Sequence, residues 1–296
     1  MKQVLIILIP VILLGISLAG GFTGNPLSIG NQSSQIFQLT DSGDSARDVL
    51  QIRSLIPGTI TQNPTSTPTP GSSTPTPTGT TCTPTTKVAV NLLLDTSGSM
   101  YYPVGFNVLS KERAMKNAVN IFFNNLQNND LIGVAQFGIF TREVISFNTK
   151  EQNQPIFASR INALIAEGAT PTRTGALVSQ SMLAQARATF TNPDYNWVLI
   201  ILTDGYPNPP ATENPTNPPD IISQIKASGI RIITIGLDLN DPNAQPSGFT
   251  PNDARQLLCS ISTTCSLPAN PGDFHESPTA SDLENIYNSI ATSICR

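Results

Sequence analysis

Histidine, charge and basic residues are scarce in this chain of 296 residues. It has a single histidine, His275, and charged residues make up only 12% of the sequence. A Ser-His-Asp or Cys-His mechanism would have to use that one imidazole, and the chain has neither a Gly-x-Ser-x-Gly nor a Cys-x-x-Cys pattern. The net charge of −4 provides no basic face for nucleic acid. These features argue against nucleophilic hydrolases and against nucleic-acid binding.

The chain begins with one basic residue followed by an apolar run. Lys2 precedes the run at 4–19, and Ser17-Leu-Ala19 is a small-x-small cleavage site. The pattern predicts that 1–20 is either a signal peptide or an N-terminal membrane anchor, and both remain open. No cysteine follows the run directly, which argues against a lipoprotein anchor. We therefore expect an extracellular or cell-surface protein that contacts the membrane only through this segment, if it is retained.

Two further regions separate this segment from the first buried-strand pattern. Residues 21–56 carry no clear structural signal and are too short for an independent core. Residues 57–86 are rich in Pro and Thr, and 64–78 contain no apolar residue. We predict a disordered, extended linker there with a rise of ~3 Å per residue. An O-glycosylated stalk and a plain linker are both compatible with this composition.

Polar side chains follow the apolar run at 88–94. The run ends abruptly in Asp95, Ser97 and Ser99. Such a run is typical of a buried strand in a parallel sheet, and open α/β sheets bind ligands beyond the carboxyl ends of their strands. One carboxylate and two hydroxyls are hard oxygen donors, which favour Mg²⁺ or Mn²⁺ over zinc or copper. Taken alone, these residues could instead form a polar turn that caps a helix.

Two other stretches support a metal site. Asp204 follows a second apolar run at 197–203, and Thr170 lies in a Gly-Ala-Thr turn before a predicted helix. With these residues the chain resembles the von Willebrand factor A domain family, also called the integrin I-domain fold. The resemblance covers about residues 87–295. It rests on Asp-x-Ser-x-Ser at 95–99, Gly-x-Thr at 168–170 and Thr-Asp-Gly at 203–205.

The resemblance implies a complete metal-ion-dependent adhesion site. Ser97 and Ser99 would contact Mg²⁺ or Mn²⁺ directly, and Thr170 would join them in one state of the site. Asp95 and Asp204 would act directly or through water. One coordination position would stay open for an Asp or Glu side chain of a protein partner. The expected rim comprises 101–107, 138–141, Arg173 and 206–219.

Strand and helix patterns alternate through 87–296, the predicted domain. The pattern predicts an α/β, Rossmann-like fold with a mostly parallel central sheet and helices on both faces, which the resemblance also implies. The predicted strands are 88–94, 131–137, 143–147 (an antiparallel edge), 197–203, 230–237 and 273–276. The predicted helices are 110–127, 156–167, 172–189, 219–228, 251–258 and 281–294.

The chain contains four cysteines, Cys82, Cys259, Cys265 and Cys295, which allow three pairings. An even number is typical of disulfides in an exported chain. We favour Cys259–Cys265, which closes a small loop, together with Cys82–Cys295, which would tie the start of the domain to its end. Extracellular members of the family often carry a bridge at the second place. Four reduced thiols in a cytosolic protein are the alternative, and the spacing fits no zinc pattern.

Three function classes are compatible with these residues. The leading hypothesis is a module that binds a protein partner through the metal. The second is the same fold as a component of a pilus or cell-envelope assembly. A metal-dependent hydrolase is a remote third, because no general base lies near the motif and His275 is distant along the chain. We therefore expect no enzymatic activity.

The favoured cysteine pairing predicts that the chain has no free thiol. Alkylation of the purified chain without reductant should leave its intact mass unchanged, whereas all four cysteines should react after reduction. Reduction should also lower the melting temperature. The Cys82–Cys295 bridge would close a loop of about two hundred residues, which stabilises by roughly 4–5 kcal/mol in the chain-entropy model. Four alkylated thiols without reductant would rule out both bridges.

Overall fold

The computed structural model describes residues 87–105, 109–192 and 194–294. The segments predicted at 1–20, 21–56 and 57–86, and the proposed Cys82–Cys295 pair, lie outside these residues. Within the described ranges, no helix has both the length and the apolar character needed to cross a membrane.

A six-stranded sheet forms the centre of the domain. In chain order its strands are β1 (Lys87–Thr96), β2 (Leu131–Gly138), β3 (Arg142–Thr149), β4 (Tyr195–Thr203), β5 (Arg231–Leu237) and β6 (Phe274–Ser277). The spatial order is β3-β2-β1-β4-β5-β6. β3 runs antiparallel to β2, and the other neighbouring pairs are parallel. The predicted α/β fold, with its antiparallel edge strand, is confirmed.

Helices connect the strands. They are α1 (Lys111–Asn125), α2 (Lys150–Asn162), α3 (Thr172–Thr189), α4 (Pro210–Glu213), α5 (Ile221–Ala227), α6 (Pro251–Ile261) and α7 (Ala280–Ser293), with 3₁₀ turns at Gly98–Tyr101 and Pro242–Ala244. α4 and the 3₁₀ turns are not among the predicted elements, because an element of one turn leaves no hydrophobic period in the sequence.

Two apolar clusters cover the two faces of the sheet. Phe122 of α1 and Tyr287 of α7 pack on one face together with Leu92 of β1. Leu183 of α3 packs on the other face together with Leu93 of β1. Successive side chains of a strand point to opposite faces, so β1 must be apolar at almost every position when both faces are covered. This explains why the run at 88–94 before Asp95 is apolar at every position except Asn91.

The largest difference from the predicted elements concerns α2. The sequence predicts a helix at 156–167, but α2 spans Lys150–Asn162. Thr149 ends β3 and also caps α2, because its side chain accepts a hydrogen bond from the Gln152 amide at 3.3 Å. Pro155 lies inside the helix, directly before the predicted start, where proline more often marks a first turn. The cap therefore determines where the helix begins.

A disulfide joins Cys259, near the end of α6, to Cys265 in the loop that leads to β6. The same loop is held by Asp273, whose carboxylate accepts hydrogen bonds from the Thr264 amide and hydroxyl. Arg231 pairs with the other carboxylate oxygen of Asp273 at 2.6 Å. The bridge and the ion pair together anchor the loop beside β5.

Replacing both residues of this bridge, as Cys259→Ala/Cys265→Ala, should lower the free energy of unfolding by about 2 kcal/mol. The reason is that a short cross-linked loop restricts the unfolded chain. Equilibrium denaturation without reductant measures the loss. The difference between the variant and the unchanged chain should vanish when both are reduced, and equal stability under oxidising conditions would contradict the prediction.

Candidate metal centre

The candidate site lies at the carboxyl ends of β1 and β4, where the sheet order changes direction. Asp95 lies near the end of β1, and Asp204 directly follows β4. These strands are parallel neighbours, so their carboxyl ends share one edge of the sheet. Both aspartate side chains are fully buried. Such switch points are where open α/β sheets bind ligands.

Ser97 and Ser99 face the same point, because the chain enters a 3₁₀ turn directly after β1. The two hydroxyl oxygens lie 3.1 Å apart. Ser99 Oγ donates to Asp204 Oδ1 at 2.8 Å, and the Ser97 amide donates to Asp95 Oδ1 at 2.7 Å. Four of the five predicted site residues therefore belong to one hydrogen-bonded cluster.

Thr170 reaches this edge on a separate turn. The Gly98 amide donates to the Gly168 carbonyl at 2.9 Å, which holds the turn against the serine loop. Gly168 has a φ of +88°, and a Cβ there would come within 2.7 Å of the Ile139 amide nitrogen. Both restrictions require glycine at this position. Thr170 itself is 6% exposed and forms an isolated antiparallel β-bridge with Asn208.

Both oxygens of Asp95 have donors. Asp95 Oδ2 accepts from Thr203 Oγ1 at 2.5 Å, while Oδ1 accepts from the Ser97 amide. Burial raises the pKa of Asp95 to about 7, the charge of Asp204 adds to the increase, and the hydrogen bonds from Ser97 and Thr203 oppose it. A nearby cation would favour the ionised form and reverse this shift. Thr203 belongs to the Thr-Asp-Gly motif of the sequence, but it is not among the predicted site residues, and its contact with Asp95 is seen only in the structure.

A buried lysine lies beside Asp204. Lys111, the first residue of α1, donates to Asp204 Oδ2 at 2.8 Å and to Asp241 Oδ2 at 2.5 Å, and its side chain has no exposed surface. Burial alone would lower the pKa of Lys111, but Asp204 and Asp241 outweigh it and raise the pKa. Burial raises the pKa of Asp204 against the opposing charge of Lys111. Lys111 gives no signal in the sequence, because a lysine at a helix start usually faces solvent.

Asp241 belongs to the loop after β5, which packs against the Thr-Asp-Gly turn. Gln245 in this loop accepts from the Tyr206 amide at 3.1 Å. A Cβ on Gly205 would lie only 2.0 Å from the Ala244 carbonyl oxygen, so the turn requires glycine. Burial would raise the pKa of Asp241, but hydrogen bonds from Lys111 and Asn243 hold it below its usual value.

The donor set fits a small, hard cation. The clustered ligand atoms are hydroxyl and carboxylate oxygens, without sulfur or imidazole. This region contains one ammonium, that of Lys111, and three carboxylates, those of Asp95, Asp204 and Asp241. A divalent cation would therefore offset the buried negative charge that Lys111 does not neutralise. No three His, Cys, Asp or Glu side chains in the described part of the chain form a metal-binding group. A metal here would therefore depend on the hydroxyls.

Large apolar side chains are exposed on two loops beside the cluster. They are Tyr101 (71% exposed), Tyr102 (46%), Ile139 (47%) and Phe140 (54%). The tyrosines follow Ser99 in the chain, and Ile139 contacts the Gly168 turn through its amide, which donates to the Glu167 carbonyl at 2.7 Å. Apolar side chains grouped on an exposed rim are typical of interaction surfaces.

Arg173, expected at the rim, stabilises another part of the structure. Its guanidinium donates to the carbonyls of Asn217 and Pro219, each at 2.8 Å, and so fastens the loop 206–219 to α3. A separate cavity of about 650 Å³ lies at the amino ends of β4 and β5, beside Trp197 and Arg231. It is at the opposite end of the strands from the cluster.

Solved structures of other proteins share this fold. The pilus adhesin SpaC from Lactobacillus rhamnosus GG is 18% identical, with a TM-score of 0.53 over 71% of this chain and 31% of its own. Proximal thread matrix protein 1 from the mussel byssus is 21% identical, with a TM-score of 0.51 over 71% of this chain and 48% of its own. BatB from Bacteroides thetaiotaomicron is 14% identical, with a TM-score of 0.50 over 69% of this chain and 97% of its own.

This chain thus spans less than half the length of the first two structures, and at these identities the likeness extends to the fold alone. No curated protein matches the chain. The family model of the von Willebrand factor type A domain matches residues 90–288. The chain therefore belongs to the von Willebrand factor type A domain family.

Proposed function

We propose that this protein binds a partner protein through Mg²⁺ or Mn²⁺ held by Asp95, Ser97, Ser99, Thr170 and Asp204. The observation that carries the proposal is the continuous contact from Ser97 Oγ to Ser99 Oγ to Asp204 Oδ1, with distances of 3.1 Å and 2.8 Å. This contact brings hard oxygen donors together at the carboxyl ends of β1 and β4, beside two fully buried carboxylates, which supports a cation site there.

Each residue has a distinct part in this proposal. Ser99 donates a hydrogen bond to Asp204, so its contact with Ser97 uses one of its two oxygen lone pairs and leaves the other available to a cation. Asp95 is held by the Ser97 amide and Thr203, and so keeps the serine loop in its bent shape. Thr170 adds a further hydroxyl from the adjacent turn. A bound divalent ion would supply Lewis acidity toward a carboxylate.

The partner would present an Asp or Glu side chain to the metal. Around that contact, the exposed side chains of Tyr101, Tyr102, Ile139 and Phe140 would pack against apolar side chains of the partner. The low content of basic residues argues against a nucleic-acid partner. The apolar segment at 1–20 and the Pro- and Thr-rich segment at 57–86 support an extracellular or cell-surface location, with 1–20 as signal or anchor.

A component of a pilus or cell-envelope assembly is the second candidate. The fold shared with a pilus adhesin favours it at the level of analogy. The two functions differ in how the partner is held. A partner that is released from the immobilised protein by a chelator favours metal-dependent adhesion, whereas co-purification with a filament that resists chelation favours assembly.

Mg²⁺ or Mn²⁺ should raise the melting temperature of the metal-free full-length chain. A ligand that binds only the folded state stabilises it by about 2.7 kcal/mol at one hundred times its Kd. Ser97→Ala and Asp204→Asn should abolish the shift and leave a folded protein, as circular dichroism would verify. The control is Ser289→Ala, which changes an exposed serine on α7. A shift that survives in both site variants would refute the proposed ligands.

Metal affinity should weaken as the pH falls below about 7. The pKa of Asp95 is raised to about 7, so this carboxyl binds a proton below that pH, and a neutral acid no longer attracts the cation. One competing proton weakens the apparent Kd by at most about tenfold per pH unit, with little change above pH 7. Titration calorimetry with Mn²⁺ at several pH values measures this. A Kd that stays constant from about pH 5 to 8 would contradict the assignment.

A further inference from the structure

We infer that Lys111 and Asp241, which are not metal ligands, have opposite effects on the affinity of this centre for a divalent cation. Lys111 weakens the binding of a divalent cation, and Asp241 strengthens it. This inference rests on the proposed function, since it concerns the same metal. It assigns a role to an ion pair that forms no part of the metal-binding motif.

Lys111 shares Asp204 with the site. Its ammonium lies 2.8 Å from Asp204 Oδ2, while Asp204 Oδ1 accepts the Ser99 hydroxyl proton at 2.8 Å. One carboxylate thus faces the lysine with one oxygen and the oxygen cluster with the other. A cation bound at the serines would lie close to the ammonium and be repelled by it. Because Lys111 is fully buried, water screens this repulsion poorly.

Asp241 offsets part of the positive charge of Lys111 that would otherwise act on Asp204. Its Oδ2 lies 2.5 Å from Lys111 Nζ, and its side chain is only 9% exposed. Its Oδ1 is fixed by the amide and side chain of Asn243, at 2.9 Å and 3.0 Å. The carboxylate cannot swing away easily, so it offsets part of the ammonium charge. Without Asp241, the full charge of Lys111 would act on Asp204 and on the metal.

Neither side chain is placed to contact a partner protein. Lys111 has no exposed surface, and Asp241 directs one oxygen inward to it and the other to Asn243. The pair therefore acts by charge and by holding Asp204. Lys111 also offsets part of the negative charge around the metal, so the ion attracts an incoming carboxylate more strongly. Lys111 therefore favours a metal whose coordination is completed by a carboxylate of the partner protein.

The test is the Kd of Mn²⁺ for the metal-free full-length chain, measured by titration calorimetry. Lys111→Met should tighten binding about tenfold, because it removes a positive charge beside Asp204. Asp241→Asn should weaken binding by about the same factor. Lys116→Met is the matched control, since it removes an ammonium and its hydrogen bonds from the same helix, where Lys116 pairs with Glu112 instead. Its Kd should stay within about threefold of the unchanged chain.

The double variant Lys111→Met/Asp241→Asn covers the case in which Lys111→Met alone does not fold. Lys111→Met alone leaves both Asp204 and Asp241 without their cation, whereas the double variant leaves only Asp204 without it. Its Kd should be no weaker than that of the unchanged chain, because the two charge effects oppose each other.

A merely structural ion pair gives a different pattern, in which both single variants and the double variant bind Mn²⁺ more weakly. That pattern, or single variants that match the unchanged chain, would overturn the inference and leave the proposed function standing. An unchanged chain that binds no Mn²⁺ would overturn the proposed function and this inference together.

Discussion

The parallel pairing of β1 with β4 is the constraint on which the candidate centre depends. Leu94 of β1 lies opposite Leu202 of β4, which places Asp95 beside Thr203 at the ends of the two strands. The Thr203 hydroxyl then reaches Asp95, and Asp204 follows where Ser99 can donate to it. A shift of one residue in this register would turn every β4 side chain to the other face and separate these groups.

Close backbone contacts then bring the loops to the strand ends. Gly98 and Gly168 meet through a hydrogen bond between their main chains, and Gly205 packs against the Ala244 carbonyl. Neither Gly168 nor Gly205 has room for a Cβ. Gly168 and Gly205 thus permit the close approach that brings separate turns together in one oxygen cluster. The loop after β5 supplies Asp241 and completes the enclosure.

Much of this arrangement could be predicted from the sequence, because the signals are local. The apolar run of β1 and the strand–helix alternation indicate the parallel sheet, and polar residues directly after two strands indicate the site. Lys111 and Asp241 could not be found that way, since their pairing spans 130 residues and leaves no periodic pattern. The predicted start of α2 is wrong for a related reason, because the cap at Thr149 outweighs the signal from Pro155. Tertiary contacts and single caps determine what periodicity does not show.

The carboxylates of the candidate centre are held by hydrogen bonds and by an ion pair. A general base needs a free oxygen directed at a reacting proton. Asp95 has donors on both oxygens, and Asp204 lies between Lys111 and Ser99. The imidazole of His275 lies on β6, two strands beyond β4 in the sheet. Carboxylates held in this way would suit the proposed function, because the groups that orient the serines would already be in place when a partner's carboxylate reached the cation.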